Sequence, residues 1–85
     1  MANGYVPPPR RLPAFPLAER APPRTTLDGR KLRVRWKEPD GTIYEWDYRH
    51  GRVERYDRRG SHEGEFDPVT GEQTGNAIPG RRVTP

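Results

Sequence analysis

With 85 residues, of which 29% are hydrophobic and 33% charged, the chain is bounded to one small domain with a thin apolar core. It has no cysteine, which excludes disulfide staples and thiolate metal sites, and no apolar run long enough to span a bilayer, so no membrane insertion by this domain is expected. The formal net charge of +4 favours a polyanionic partner, but the excess is uneven. Residues 1–27 hold four arginines and one glutamate, whereas residues 28–85 hold twelve basic and eleven acidic side chains. A surface that only gripped nucleic acid would rarely keep so many carboxylates, because each repels phosphate. Some of them are expected to have chemical work.

In chain order, residues 1–27 carry seven of the eleven prolines. Proline removes amide donors and fixes φ, so the segment reads as an extended Pro-rich linker or arm preceding a folded domain at 28–85. Its arginines remain able to touch a phosphate backbone, or a partner could order it. The N-terminus lacks the apolar core of a signal peptide, so export would rest on another module.

From Asp28 the pattern alternates. Leu32, Val34 and Trp36 form one apolar face of a strand, and Lys31, Arg33, Arg35 and Lys37 form a basic face, a candidate for phosphate contact. Glu38–Gly41 is a turn, and Thr42–Tyr48 is the next strand. His50-Gly51 is a tight turn, followed by a strand at Arg52–Asp57. Arg58-Arg59-Gly60 turns into a fourth strand at Ser61–Phe66. Asp67–Gly71 turns once more, ahead of a short Glu72–Thr74 segment and a tail ending in basic residues. No helical period appears. The prediction is a mainly β, antiparallel meander of four to six short strands.

If His50-Gly51 is a two-residue loop, Tyr48 pairs with Val53 and Asp47 sits opposite Glu54. Tyr44, Trp46, Tyr48 and Val53 then share one face, which is either the buried side or an RNA-stacking platform; Trp46 is better suited to the core. Glu45, Asp47, Arg52, Glu54 and Tyr56 share the other, with His50 at the lip. Like charges facing each other across a strand pair destabilise it, so a facing carboxylate pair with an imidazole nearby suggests acid–base chemistry. RNA suits those groups, because its 2′-hydroxyl supplies the nucleophile and no metal is required. The spacing of the two histidines and the carboxylates offers no metal-ligand set, and no cofactor is expected.

The stretch Ile43-Tyr44-Glu45-Trp46-Asp47, followed by His50-Gly51, Glu54 and Tyr56, resembles the cytotoxic ribonuclease domain of cloacin and the ribosome-inactivating colicins. The resemblance continues through His62, Gly64, Phe66-Asp67-Pro68, Thr70-Gly71 and Gln73, with Arg33-Val34-Arg35-Trp36 upstream. It implies a strongly twisted antiparallel sheet and one cut in small-subunit ribosomal RNA at the decoding site, which inhibits translation. By the same resemblance Glu54 is the general base, His50 the general acid, and Asp47 the residue that orients His50. Arg81 assists the phosphate, with Arg82 as the next candidate. Tyr44, Arg52, Tyr56 and His62 are RNA-contact candidates, and Arg52 stands where the family carries an acidic residue. An acidic immunity protein is the implied partner beside the ribosome, and the cytoplasm of a target bacterium the implied place of action. The family's translocation and receptor-binding domains do not occur in these residues, so an excised toxin domain or a short toxin module with another delivery system is expected.

Two other functions fit the composition. A non-catalytic RNA- or ribosome-binding module would use the basic strand alone. A protein-interaction adaptor would use the proline-rich arm to dock in a groove.

Overall fold

The computed structural model describes residues 4–27 and 31–85. Among the described residues eight strands form in chain order: β1 (Glu19–Ala21), β2 (Thr26–Leu27), β3 (Lys31–Leu32), β4 (Arg35–Lys37), β5 (Ile43–Asp47), β6 (Arg52–Tyr56), β7 (His62–Phe66) and β8 (Gln73–Asn76). Six of them make one antiparallel sheet in the order β1-β4-β5-β6-β7-β8, and β2 and β3 pair separately. No helix forms among the described residues. The mainly β meander expected from the alternation of side chains is therefore the fold.

Short turns made by aspartates join the strands. Asp40 accepts the Thr42 amide, Asp57 accepts the amides of Arg59 and Ser61, and Asp67 accepts those of Val69 and Thr70. Each carboxylate replaces backbone partners that a turn would otherwise leave to water, which is why aspartate precedes these turns. Amide donation holds all three aspartates below the usual carboxylate range, led by the Thr42, Ser61 and Thr70 amides respectively.

One sheet face is the core. Trp36, Tyr44, Trp46, Val53 and Phe66 are buried there, with Leu12 and Ala18 from the N-terminal segment. Residues 4–27 are thus not a tether ahead of the domain but a strap packed across the sheet. Glu19–Ala21 adds an edge strand to β4, and Phe15 lies against Tyr44, ring centroids 4.6 Å apart. The strap's polar backbone is matched to the sheet. The Val6 amide donates to the Tyr48 carbonyl, and the indoles of Trp46 and Trp36 donate to the carbonyls of Val6 and Arg10. Proline still excludes helix here, but a chain whose φ angles are preset loses less entropy on docking. Full burial of Leu12 contributes about 1.5–3 kcal/mol of hydrophobic free energy.

The predicted first strand is split. Arg33 and Val34 lie between β3 and β4, and Leu32 is exposed. Arg35 was expected on a solvated basic face; it is buried, with its guanidinium on Glu45. The hairpin register also differs by two residues: Asp47 faces Arg52, and Glu45 faces Glu54. Tyr48 to Gly51 form the loop, closed by Gly51 N–H donating to the Asp47 carbonyl at 2.9 Å. A two-residue slip preserves which face each side chain occupies, so the two predicted faces survive the change of register.

Candidate active site

The catalytic candidates lie on the sheet face opposite the core. Glu54 comes from β6, Asp47 from the end of β5, His50 from the following loop, and Arg81 from the C-terminal tail. They line an open groove of about 440 Å³, together with Arg33, Arg49 and Glu65.

His50 is exposed, and its Nδ1 lies 2.6 Å from Asp47 Oδ2. The other oxygen of Asp47 accepts the amides of Arg49 and His50, so the carboxylate is fixed by its own loop. Burial raises the Asp47 pKa, but the His50 side chain and these two amides together hold it below the ordinary carboxylate value. An ionised carboxylate only accepts hydrogen bonds, so Nδ1 carries the proton and Nε2 is left facing the groove.

Glu54 is mostly buried, and its Oε1 lies 2.6 Å from His62 Nε2. His62 Nδ1 accepts the Ile78 amide at 2.9 Å, so the proton of this ring sits on Nε2 and is donated to Glu54. The RNA-contact role expected for His62 is corrected accordingly. Its side chain is only 1% exposed, and it orients the carboxylate beneath the groove. Arg81 Nη1 lies 3.9 Å from the same Glu54 oxygen, and its Nε donates to the Tyr56 hydroxyl at 3.1 Å.

Tyr56 and Tyr44 are also buried rather than available for base stacking. Tyr56 positions Arg81, and burial is the main cause of its raised pKa. Tyr44 is on the core face, where its hydroxyl donates to Glu38 at 2.8 Å; burial first, and that bond second, raise its pKa. Arg35, a candidate for phosphate contact, is buried in its pairing with Glu45. Of the remaining basic candidates, Arg33 lines the groove and donates to the Trp46 carbonyl, and Arg52 lies 3.5 Å from Glu65 at the rim. Lys37 is exposed on β4. Lys31 belongs to β3, and its side chain lies outside the described residues. Arg82 is tied to the Ser61 hydroxyl and the Arg59 carbonyl, so Arg81 is the arginine of this pair that reaches the groove.

Two contributions escaped the sequence pattern. Glu65 sits across from Glu54 and within 3.9 Å of His50 Nδ1, while His62 sits across from Tyr56. Residues three apart on a regular strand point to opposite faces. A register shift between Arg55 and Tyr56 brings both onto the site face. Gly64 between them has φ 142°, and a side chain there would collide with Gln73 and the Gly75 carbonyl. Nothing in the spacing of residues announces that bulge. It also groups ligand-type atoms of Asp47, His50 and Glu65 within 4.8 Å, a set the linear spacing did not offer. In this structure Asp47 holds His50, and Arg52 faces Glu65.

The arrangement therefore presents a carboxylate and an imidazole to one groove, each fixed by a partner of the opposite type, with a guanidinium beside the carboxylate. Comparisons with known proteins place the chain in a family. The Cytotoxic family model matches residues 6–84. Colicin E3 of Escherichia coli is 43% identical over 58 residues, covering 66% of this chain and 10% of the colicin. Cloacin of Escherichia coli is 39% identical over 69 residues, covering 79% of this chain and 12% of that protein. Colicin-E6 matches to the same extent as cloacin. The chain thus spans about a tenth of the length of these curated relatives, and over nearly all of its own length it belongs to the cytotoxic domain family of the ribonuclease-type colicins.

Proposed function

We propose that this domain is a metal-independent endoribonuclease toxin that cuts small-subunit ribosomal RNA at the decoding site and thereby stops translation. The observation that carries the reading is the pairing of Glu54 with His62 and of His50 with Asp47 around one groove. Glu54 removes the proton of a 2′-hydroxyl, and that oxygen attacks the adjacent phosphorus. For this step His50 carries a proton on Nε2 as well as the one Nδ1 gives to Asp47; the Nε2 proton passes to the departing 5′-oxygen, which leaves a 2′,3′-cyclic phosphate and the neutral ring protonated on Nδ1. Arg81 balances the charge that accumulates on the phosphoryl oxygens. RNA brings its own nucleophile, so acid, base and cation suffice. Asp47 holds Nδ1 of the imidazole and fixes the orientation of the ring, as carboxylates do for catalytic histidines generally.

A domain this small has little surface with which to read a long sequence, so RNA shape within the ribosome supplies specificity. The basic surface suits an acidic immunity protein in the producing cell. Action in the cytoplasm of the target bacterium follows from the substrate.

The test incubates the protein with intact bacterial ribosomes in EDTA and maps the 3′ region of small-subunit RNA by primer extension. One new stop at the decoding site, lost in Glu54→Ala and in His50→Ala, is the expected result. Intact RNA with a folded protein that co-sediments with ribosomes would replace the enzyme with a binding module. Cleavage unchanged by both substitutions would refute the assignment of the site.

A further inference from the structure

The catalytic groove has little net attraction for a polyanion. Its lining sets Asp47, Glu54 and Glu65 against Arg33, Arg49 and Arg81. The charge excess lies elsewhere: residues 1–27 carry a net three of the four surplus positive charges. Three of the arginines responsible, Arg10, Arg11 and Arg20, line a second open groove of about 390 Å³ with Glu19.

This groove is on the other side of the sheet. Arg20 pairs in register with Trp36, and Trp36 with Tyr44, so all three side chains project from the core face, away from Glu45 and Asp47. Arg20 is held in advance. Its guanidinium lies 5.2 Å from the Trp36 ring centroid, and its Nη2 donates to the Pro9 carbonyl at 3.1 Å. The backbone carrying Arg10 and Arg11 is anchored by the Trp36 indole on the Arg10 carbonyl and by the buried Leu12, while both side chains are exposed. The anchored backbone spares the cost of ordering the chain itself when these guanidinium groups meet a phosphate.

We propose that this strap is a second anion-binding surface, which grips the phosphodiester backbone of folded RNA on the side of the domain away from the catalytic groove. The inference rests on the RNA-cleaving reading above. It explains how a site crowded with carboxylates is brought to RNA: the charge that provides affinity is placed where it does not compete with the acid–base groups. Such a domain is held between two RNA segments, as in a cleft of a large ribonucleoprotein, and has weaker affinity for an RNA that reaches only one face.

The test compares the wild-type domain with Arg10→Gln/Arg11→Gln on intact ribosomes, reading KM and kcat across salt concentrations, with thermal melts to establish folding. The variant is expected to raise KM roughly 10- to 30-fold near physiological salt. The slope of log affinity against log salt should fall by about one per arginine lost, with kcat retained. Arg10→Lys/Arg11→Lys should restore KM and slope, because a phosphate backbone responds to the charge. Unchanged KM and slope in the Gln variant overturn the proposal and leave the strap's charge to an acidic protein partner. A Lys variant as defective as the Gln variant overturns it too. Wild-type protein that fails to cleave ribosomes refutes the ribonuclease reading instead, a result distinct from either.

Discussion

Replacing Arg35 with methionine separates a structural role from an RNA-binding one. Arg35 and Glu45 are 2% and 1% exposed, and Arg35 Nε and Nη2 reach Glu45 Oε2 at 3.2 and 2.6 Å. The same oxygen accepts the Thr25 hydroxyl at 2.6 Å. Glu54 is the cross-strand neighbour of Glu45, so removing the guanidinium leaves a buried carboxylate beside another acid. Breaking one half of a buried ion pair costs about 3–5 kcal/mol. For a domain of this size each kcal/mol moves the melting midpoint by about 4–8 °C, so Arg35→Met should lower it by at least about 12 °C. Arg35→Met/Glu45→Met removes both charges and should recover most of that loss, since apolar replacement of a whole buried pair is often neutral or stabilising. The assay is thermal and urea denaturation followed by circular dichroism. A single variant that melts within a few degrees of the parent, yet binds ribosomes weakly, would refute the reasoning and return Arg35 to the phosphate-contact surface.

His62→Phe keeps a buried ring but removes the donor to Glu54; losing a charge-assisted hydrogen bond worth about 1.5–3 kcal/mol should lower kcat roughly 10- to 150-fold. Retention of full activity in a folded variant would show that Glu54 holds its position without His62. Gly60→Ala should release the C-terminal tail, because Gly60 has φ 89° and an added methyl would run into the Val83 carbonyl. Loss of at least about 1 kcal/mol in denaturation, together with reduced cleavage through misplacement of Arg81, is expected, and an unperturbed variant would argue against tail docking. The lowered folded-state pKa values of Asp47, Asp57 and Asp67 contribute stability that is complete above the unfolded value of about 3.9. That contribution is lost as pH falls through the folded values. Melting midpoints should therefore drop below about pH 4, and less steeply in Asp67→Ala; parallel acid limbs in parent and variant would remove Asp67 from this account.

The face assignments were legible in the sequence because alternation is local. Tyr44, Trp46 and Val53 point to the core, and Asp47 and Glu54 away from it, whichever even slip of register the hairpin adopts. The aspartate turns were legible for the same reason, and the motif around Asp47, His50 and Glu54 named the family. Three features depended on contacts between distant residues. The strap docks through Leu12 and Ala18, scattered among prolines with no period to betray a buried side, and its fit is set by tryptophan indoles elsewhere in the chain. Arg35 looked like one more charge on a basic stripe, because its burial depends on a carboxylate on the neighbouring strand. His62 and Glu65 reached the site only through a register shift on the adjacent pair. Side-chain direction along one strand follows from the pleat, which the sequence carries; whether a charged group is solvated, paired or put to chemical use follows from what the folded sheet places opposite it.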